Sequence, residues 1–246
     1  MLFLLQSIFV MTLFTSFMTP TIIFLKSRGN IFANPNIYLA TLFFISGIYC
    51  LTIYSMSLGH SFLFTVLLYG NFSSLYFLIG PVLFFYLRSL RTGKTQLSRL
   101  DFVHFLPFII VLLDTLPYYF SPYEYKVSVV RQVFSNWTSM FSIQLGYLFS
   151  TSALYILRPL LLLFYTLWGL FYIKKNQLYF FKATTLGKWL CGFLLLQLLI
   201  FVGMSSVFFG VWLENSWGYT FLNHPSEIKY ISLAAYMVMV CALYLD

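Results

Sequence analysis

The chain has 246 residues, of which 61% are hydrophobic and only 8% are charged, and its formal net charge is +8. A soluble domain of this size could not hide so much apolar surface from water, so the composition excludes an ordinary globular protein and indicates lipid as the solvent. The positive charge does not indicate a nucleic-acid surface, because it is divided among short connections where membrane insertion already favours Lys and Arg.

Seven apolar stretches have about the length of a membrane-spanning helix, which needs roughly 20 residues. They lie at 2–25, 36–57, 72–90, 102–120, 149–173, 186–213 and 230–245. The start of the third stretch is the least defined, since residues 61–69 are apolar as well. The sequence therefore predicts an all-α membrane protein, with a single seven-helix domain over residues 1–246.

Basic residues are concentrated in alternate connections between these stretches. Ten of the 14 Lys and Arg residues lie in the first, third and fifth connections or within three residues of them, namely Lys26, Arg28, Arg88, Arg91, Lys94, Arg99, Lys174, Lys175, Lys182 and Lys188. The even-numbered connections contain only Lys126, Arg131 and Lys229. Because short cytoplasmic loops collect Lys and Arg, the pattern predicts an N-terminus outside the cell and a C-terminus in the cytoplasm.

The fourth connection, between spans four and five, has the pattern of an amphipathic outer helix. Apolar residues recur there at spacings of three or four, and polar residues occupy the positions between them. The apolar positions are Val127, Val130, Phe134, Trp137, Phe141 and Leu145. Two interpretations remain open: a helix that lies in the membrane interface with Trp137 as an anchor, or a lid over a cavity that opens to the outside.

Ionisable residues inside the spans are functional candidates, because lipid makes each of them costly. Asp114 in span four and Arg158 in span five lie at similar predicted depths, since a helix rises about 1.5 Å per residue. An ion pair between them would either make two helices compatible with lipid or line a ligand pocket. Gln197 in span six is a further candidate, either as a ligand contact or as a hydrogen-bonding residue between helices.

Motifs for catalysis or metal binding are not found in the sequence. It contains no HExxH, CxxC or GxSxG pattern and no glycine-rich phosphate loop. His60, His104 and His224 are far apart in sequence and in predicted depth, and the three cysteines lack metal-ligand spacing. We therefore expect no enzyme activity, no cofactor and no metal site.

Two neighbouring runs resemble a known family. Residues 80–90 read GPVLFFYLRSL and, after a basic loop, residues 101–108 read DFVHFLPF. These runs are similar to the GPLLYxYxRSL and HFLPF patterns in the membrane portion of bacterial AraC-type transcriptional regulators. The matching positions include Gly80, Pro81, Tyr86, Arg88, His104 and Pro107. From the residues alone, Pro81 is expected to kink span three, and Tyr86 and Arg88 to anchor its inner end at the membrane interface.

The resemblance implies a sensory function. In that family a seven-helix domain in the bacterial cytoplasmic membrane precedes a cytoplasmic helix-turn-helix domain that binds DNA. We therefore expect the natural protein to continue beyond Asp246 into a DNA-binding part, and DNA to be a partner only through that part. A small-molecule or lipid ligand as the signal, and a homodimer, are compatible with this interpretation.

A small transporter or channel is the alternative function. A substrate path usually needs several polar groups within the membrane and two matching broken helices in an internal repeat. The sequence offers one pair of charged residues in its spans and no clear repeat. These features favour a sensor over a transporter.

Overall fold

The structure is a computed structural model, and it describes residues 2–26, 34–57, 61–135 and 139–175, together with residues 188, 190–195, 198, 202, 205, 209, 210 and 213. Throughout that part of the chain the regular structure is helical, and no strand occurs. The prediction of an all-α protein is therefore confirmed for these residues.

Eight α-helices and two 3-10 segments occur in the described residues up to Lys175. The helices α1 to α8 are Leu2–Lys26, Asn36–Ser57, Phe62–Leu68, Ile79–Thr92, Leu106–Tyr119, Tyr123–Ser135, Ser139–Ser142 and Thr151–Lys175. The 3-10 segments are Leu75–Leu78, which leads into α4, and Arg99–Phe105, which leads into α5.

Three stretches of the described chain are long and apolar enough to cross a membrane, namely Asn36–Met56, Arg99–Tyr119 and Thr151–Ile173. They correspond to predicted spans two, four and five. Helix α1, predicted as the first span, is apolar from Val10 to Lys26. By length and composition, these helices are compatible with a membrane protein. The number of seven spans and the orientation stay predictions, since the seventh predicted span and most of the sixth lie outside the described residues.

The predicted third span, 72–90, is not one continuous α-helix. Helix α3 ends at Leu68, Gly70 has a left-handed φ of 77°, and turns precede the 3-10 segment Leu75–Leu78. The side chain of Tyr118 explains the break, because its hydroxyl group donates a hydrogen bond to the carbonyl oxygen of Tyr69. A Cβ atom on Gly70 would overlap the Tyr118 ring. The chain therefore turns here, and only glycine fits both the angle and the space.

Helix α4 is the centre of the bundle. Ten of its 14 residues are buried, on every face of the helix: Ile79, Gly80, Pro81, Val82, Leu83, Phe84, Phe85, Tyr86, Leu87 and Ser89. It packs against both α2 and α8. Gly80 of α4 contacts the ring of Tyr165, and Gly169 of α8 contacts Leu87, at sites where a Cβ atom would overlap these side chains. Two glycines thus allow α4 and α8 to approach closely.

Two expectations for span three need correction. Pro81 is the third residue of α4, and backbone amides in the first turn of a helix have no partner within the helix. Pro81 therefore lies in the first turn of α4, where proline breaks no hydrogen bond within the helix and does not kink it. Tyr86 is only 2% exposed and belongs to the hydrophobic core. It is a packing residue and not an interfacial anchor.

The described residues between α5 and α8, 123–135 and 139–150, pack on one end of the bundle, and we call them the cover segment. It contains α6 and α7, so an amphipathic helix is present at Tyr123–Ser135, but the predicted helix through Leu145 is shorter in the structure, where residues 143–150 are not helical. Its α6 packs on α3 and its α7 on α8. The buried residues are Val129, Val130, Val133, Met140, Phe141, Ile143 and Leu145. Trp137 lies outside the described residues. The buried stripe of α6 includes Val133 in place of the predicted Phe134, which is 45% exposed.

Candidate functional site

Asp114 and Arg158 do not form the predicted ion pair in the structure. Arg158 donates a hydrogen bond from Nη2 to Oγ of Ser73 at 2.7 Å. Asp114 instead accepts a hydrogen bond at Oδ1 from the backbone N–H of Leu148, at 2.6 Å. Equal depth along two helices does not fix which way their side chains face, and here each residue has found a different neutral partner.

Aromatic rings surround the guanidinium group of Arg158. Its Cζ atom lies 5.3 Å from the ring centroid of Tyr76, 5.8 Å from that of Phe77 and 5.0 Å from that of Tyr155. These distances are within the range of cation–π contacts, which extends to about 6 Å. The Nε atom is buried and has no hydrogen-bond partner among the described residues. Arg158 is thus held by ring faces and by the hydroxyl groups of Ser73, Tyr49 and Tyr155, with its Nε donor unused among the described residues.

An enclosed cavity lies beside Arg158. It offers about 20 Å³ to the centre of a water-sized molecule, which is room for roughly one or two waters. Seven of its lining residues carry hydroxyl groups, namely Tyr49, Thr52, Tyr69, Ser73, Tyr76, Thr151 and Tyr155. Among the described residues that line it, Arg158 is the only charged one. The cavity therefore combines several hydroxyl groups and one positive charge with an otherwise apolar wall.

Helical spacing explains how these side chains converge. Thr151, Tyr155 and Arg158 recur on α8 at intervals of four and three, which places them on one face of that helix. Tyr49, Thr52 and Met56 of α2 show the same type of spacing. The turn and the 3-10 segment before α4 contribute Ser73 and Tyr76, and the cover segment contributes Leu145. Four separate parts of the bundle meet at the cavity.

Asp114 attaches the cover segment to α5. Its side chain is buried, and Gly146 packs so closely against the carboxyl group that a Cβ atom there would overlap it. The second carboxyl oxygen, Oδ2, is buried without a hydrogen-bond partner in the described part of the chain. The connection from α7 to α8 thus contacts Asp114 at Gly146 and Leu148 and lines the Arg158 cavity with Leu145. Asp114 and Arg158 therefore both lie beside the connection from α7 to α8, although they do not contact each other.

The two family-like runs pack together. The first forms most of α4, and the second lies beside its C-terminal half, in the 3-10 segment and the first turn of α5. Nη1 of Arg88 lies 2.5 Å from Oδ1 of Asp101, and its guanidinium lies 5.1 Å from the ring centroid of Phe85. Nδ1 of His104 lies 2.8 Å from the hydroxyl oxygen of Tyr165. The runs are therefore joined to each other by an ion pair and to α8 by a hydrogen bond.

Stacked rings complete this second cluster. The His104 ring centroid is 5.0 Å from that of Phe84 and 5.6 Å from that of Trp168. The rings of Tyr165 and Trp168 are stacked at an interplanar angle of 16°. Aromatic pairs at these distances contribute beyond the area that they bury. The cluster therefore couples α4, the 3-10 segment before α5, and α8.

The remaining predicted residues have simpler positions. Pro107 lies in the first turn of α5, where proline fits. The side chain of Gln197 lies outside the described residues, as does Trp137. Sequence reasoning missed Ser73 as the partner of Arg158 and Tyr165 as the partner of His104. No pattern in the sequence points to either contact, since both join residues more than 60 positions apart.

A comparison with protein-family models, with characterised proteins and with solved structures finds no match to this chain. The site is therefore interpreted from its own geometry.

Proposed function

We propose that this chain is the membrane-embedded sensory domain of a bacterial AraC-type transcriptional regulator, and that its signal acts at the Arg158 cavity. The observation that carries the proposal is the position of this cavity between α2, α8, the turn before α4 and the cover segment. A ligand there would contact four parts of the bundle at once. It would shift the protein towards whichever arrangement of those parts it binds more tightly.

Helix α8 offers a physical connection from the cavity to the family-like cluster. It carries Arg158 and, seven residues later, Tyr165, which is about 10 Å further along the helix axis. Tyr165 contacts both Gly80 of α4 and His104. A displacement of α8 at the cavity would therefore also change the contacts of Tyr165 with Gly80 and His104, which lie in the family-like runs. In the predicted orientation these residues face the cytoplasm, where a DNA-binding part would lie.

Transcript measurements test this proposal. The gene would be deleted in its natural host and restored as wild type, as Arg158→Gln, or as Arg131→Gln at matched membrane levels. Arg131 is an exposed residue of α6 and serves as the control for loss of one positive charge. We expect a discrete set of transcripts to change on deletion and to recover with wild type and Arg131→Gln. Arg158→Gln should hold that set in one state under all growth conditions.

Two outcomes would contradict the sensor proposal. In the first, no transcripts depend on the gene. In the second, deletion changes the uptake or export of a solute while transcripts change only as a consequence of that solute. The second outcome would favour the transporter or channel.

A further inference from the structure

Arg158 has no carboxylate partner in the described part of the chain. The described acidic residues are accounted for elsewhere: Asp101 pairs with Arg88, Asp114 bonds to Leu148, and Glu124 is exposed. Arg158 is half-buried, and a charge that is partly removed from water without an opposite charge beside it is costly. The aromatic faces and the hydroxyl groups of Ser73, Tyr49 and Tyr155 offset only part of that cost.

Two unused polar groups lie at the cavity. Within the described part of the chain, Nε of Arg158 is a donor without a partner, and so is the hydroxyl group of Thr151, a residue that is 1% exposed. Both residues line the cavity, together with the hydroxyl groups of Ser73 and Tyr155. Guanidinium and hydroxyl groups can donate hydrogen bonds, and no carboxylate is present in the described wall to compete for them. A lone water would satisfy hydrogen bonds there but would leave the charge uncompensated.

From this arrangement we propose that the Arg158 cavity binds one small monovalent anion of the size of chloride or bromide. Arg158 supplies the charge, and Ser73, Thr151 and the surrounding tyrosines supply hydroxyl donors. The free volume of about 20 Å³ for water-sized centres admits a halide. It excludes larger anions such as sulfate and phosphate while the cover segment is in place. This inference rests on the proposed function, because it names the ligand class of the same cavity.

Enclosure by Leu145 gives the anion a specific effect on the bundle. Leu145 belongs to the cover segment and lines the cavity, so an anion bound there would contact that segment as well as α2 and α8. Occupancy then favours the closed arrangement of the cover segment, α2 and α8. Chloride concentration outside the cell is the signal that such a site would report.

Binding of chloride to the purified full chain in lipid nanodiscs tests the proposal. The measurements are saturable binding of radioactive chloride and the melting temperature in chloride, bromide, gluconate and sulfate salts at constant ionic strength. A ligand that binds only the folded state stabilises it in proportion to RT ln(1 + [L]/Kd). We therefore expect the melting temperature to rise by a constant step for each tenfold increase in chloride above its Kd. Bromide should act like chloride, and gluconate and sulfate should have no such effect.

Variants assign the effect to this cavity. Arg158→Gln should abolish saturable binding, and Ser73→Ala and Thr151→Val should each weaken it several-fold, while Arg131→Gln should bind as wild type does. Equal melting temperatures in all salts together with no saturable binding would overturn the proposal. If Arg158→Gln does not fold, unchanged affinity in both hydroxyl variants would overturn it equally.

The alternative to an anion is that Arg158 pairs with an acidic residue outside the described range. Glu214→Gln and Glu227→Gln test this directly, and chloride binding that appears only in one of these variants would overturn the proposal for the natural chain. The regulator proposal is tested separately by the transcript profiles. If chloride does not bind but transcripts still depend on the gene, the anion proposal fails and the regulator proposal stands. If chloride binds but no transcript depends on the gene, only the regulator proposal fails.

Discussion

The hydroxyl oxygen of Tyr165 lies 2.8 Å from Nδ1 of His104, and the ring that carries it covers Gly80. One side chain of α8 thereby touches both of the runs that resemble the regulator family. Neither run would keep its present position if α8 moved alone.

A methyl group at Gly80 should destabilise the protein. Its Cβ atom would overlap the Tyr165 ring, so Gly80→Ala must push α4 and α8 apart or displace the ring. Overpacking of this kind costs about 1–3 kcal/mol, which thermal unfolding in detergent will detect. Gly192→Ala is the matched control, since nothing in the described part of the chain lies within 4 Å of the new methyl group there. Equal melting temperatures for the two variants would refute the close contact.

Removal of the Tyr165 hydroxyl group should weaken the contact with His104 while leaving the packing intact. Tyr165→Phe keeps the ring over Gly80 and loses the hydrogen bond, for an expected cost of about 0.5–1.5 kcal/mol. In a double-mutant cycle with His104→Phe, the two losses should be less than additive, because both remove the same bond. Strictly additive losses in detergent melts would mean that the two groups do not interact.

The hydrogen bond from Leu148 to Asp114 predicts different effects for two substitutions. Asp114→Ala removes the acceptor and leaves the Leu148 N–H unsatisfied, so we expect a loss of about 1–3 kcal/mol in unfolding free energy. Asp114→Asn keeps a side-chain oxygen at the same place and should lose much less. Gly146→Ala should destabilise the wild type by overlap with the carboxyl group, and less so in the Asp114→Ala background. An Asn variant as unstable as the Ala variant would contradict this account.

The two residues of the Arg88–Asp101 ion pair should contribute unequally to the stability of the protein. Asp101 accepts hydrogen bonds both from Arg88 and from the backbone N–H of Ser98, whereas Arg88 otherwise bonds only weakly to the Gln96 carbonyl. Asp101→Ala should therefore lower stability more than Arg88→Ala, whose cost is expected near 0.2–1 kcal/mol for a partly exposed pair. Protease sensitivity of residues 93–98 should rise in the same order. The reverse order would show that the backbone contact contributes little.

Cysteine labelling tests the predicted orientation. With the natural cysteines replaced, a membrane-impermeant reagent added to intact cells should modify a cysteine at Glu124 and spare one at Lys94. Both positions are exposed in the structure, so accessibility alone does not separate them. After the membrane is permeabilised, both should react. Labelling of the Lys94 position in intact cells would reverse the topology.

Hydropathy predicted the helices well where each lies against lipid. Predicted span two coincides with α2, and span one with α1 to within a residue, because a continuous apolar run of the required length specifies a helix almost by itself. It was less accurate at span three, whose residues 72–78 form turns and a 3-10 segment before α4 begins at Ile79. Just before that span, Gly70 meets the Tyr118 ring and the Tyr118 hydroxyl bonds to Tyr69 across 49 residues, and no local pattern encodes these contacts.

The candidate site was predicted only in part. Both Asp114 and Arg158 proved to be buried or partly buried groups in a polar setting, as the cost of charge in lipid suggests. Their partners were not predicted, because depth along a helix is set by sequence position whereas direction depends on the packing of neighbours. Ser73 lies 85 residues from Arg158 and becomes its partner only through the fold.

Helix α4 has few exposed side chains, because most of its residues are buried against other parts of the described chain. Its sequence is therefore governed by shape and volume, as in the interior of a water-soluble protein, and its 14 residues need not match the thickness of the bilayer. A thicker or thinner membrane would tilt or strain the outer helices first. Such a mechanical stimulus reaches α4 only through the helices that pack against it.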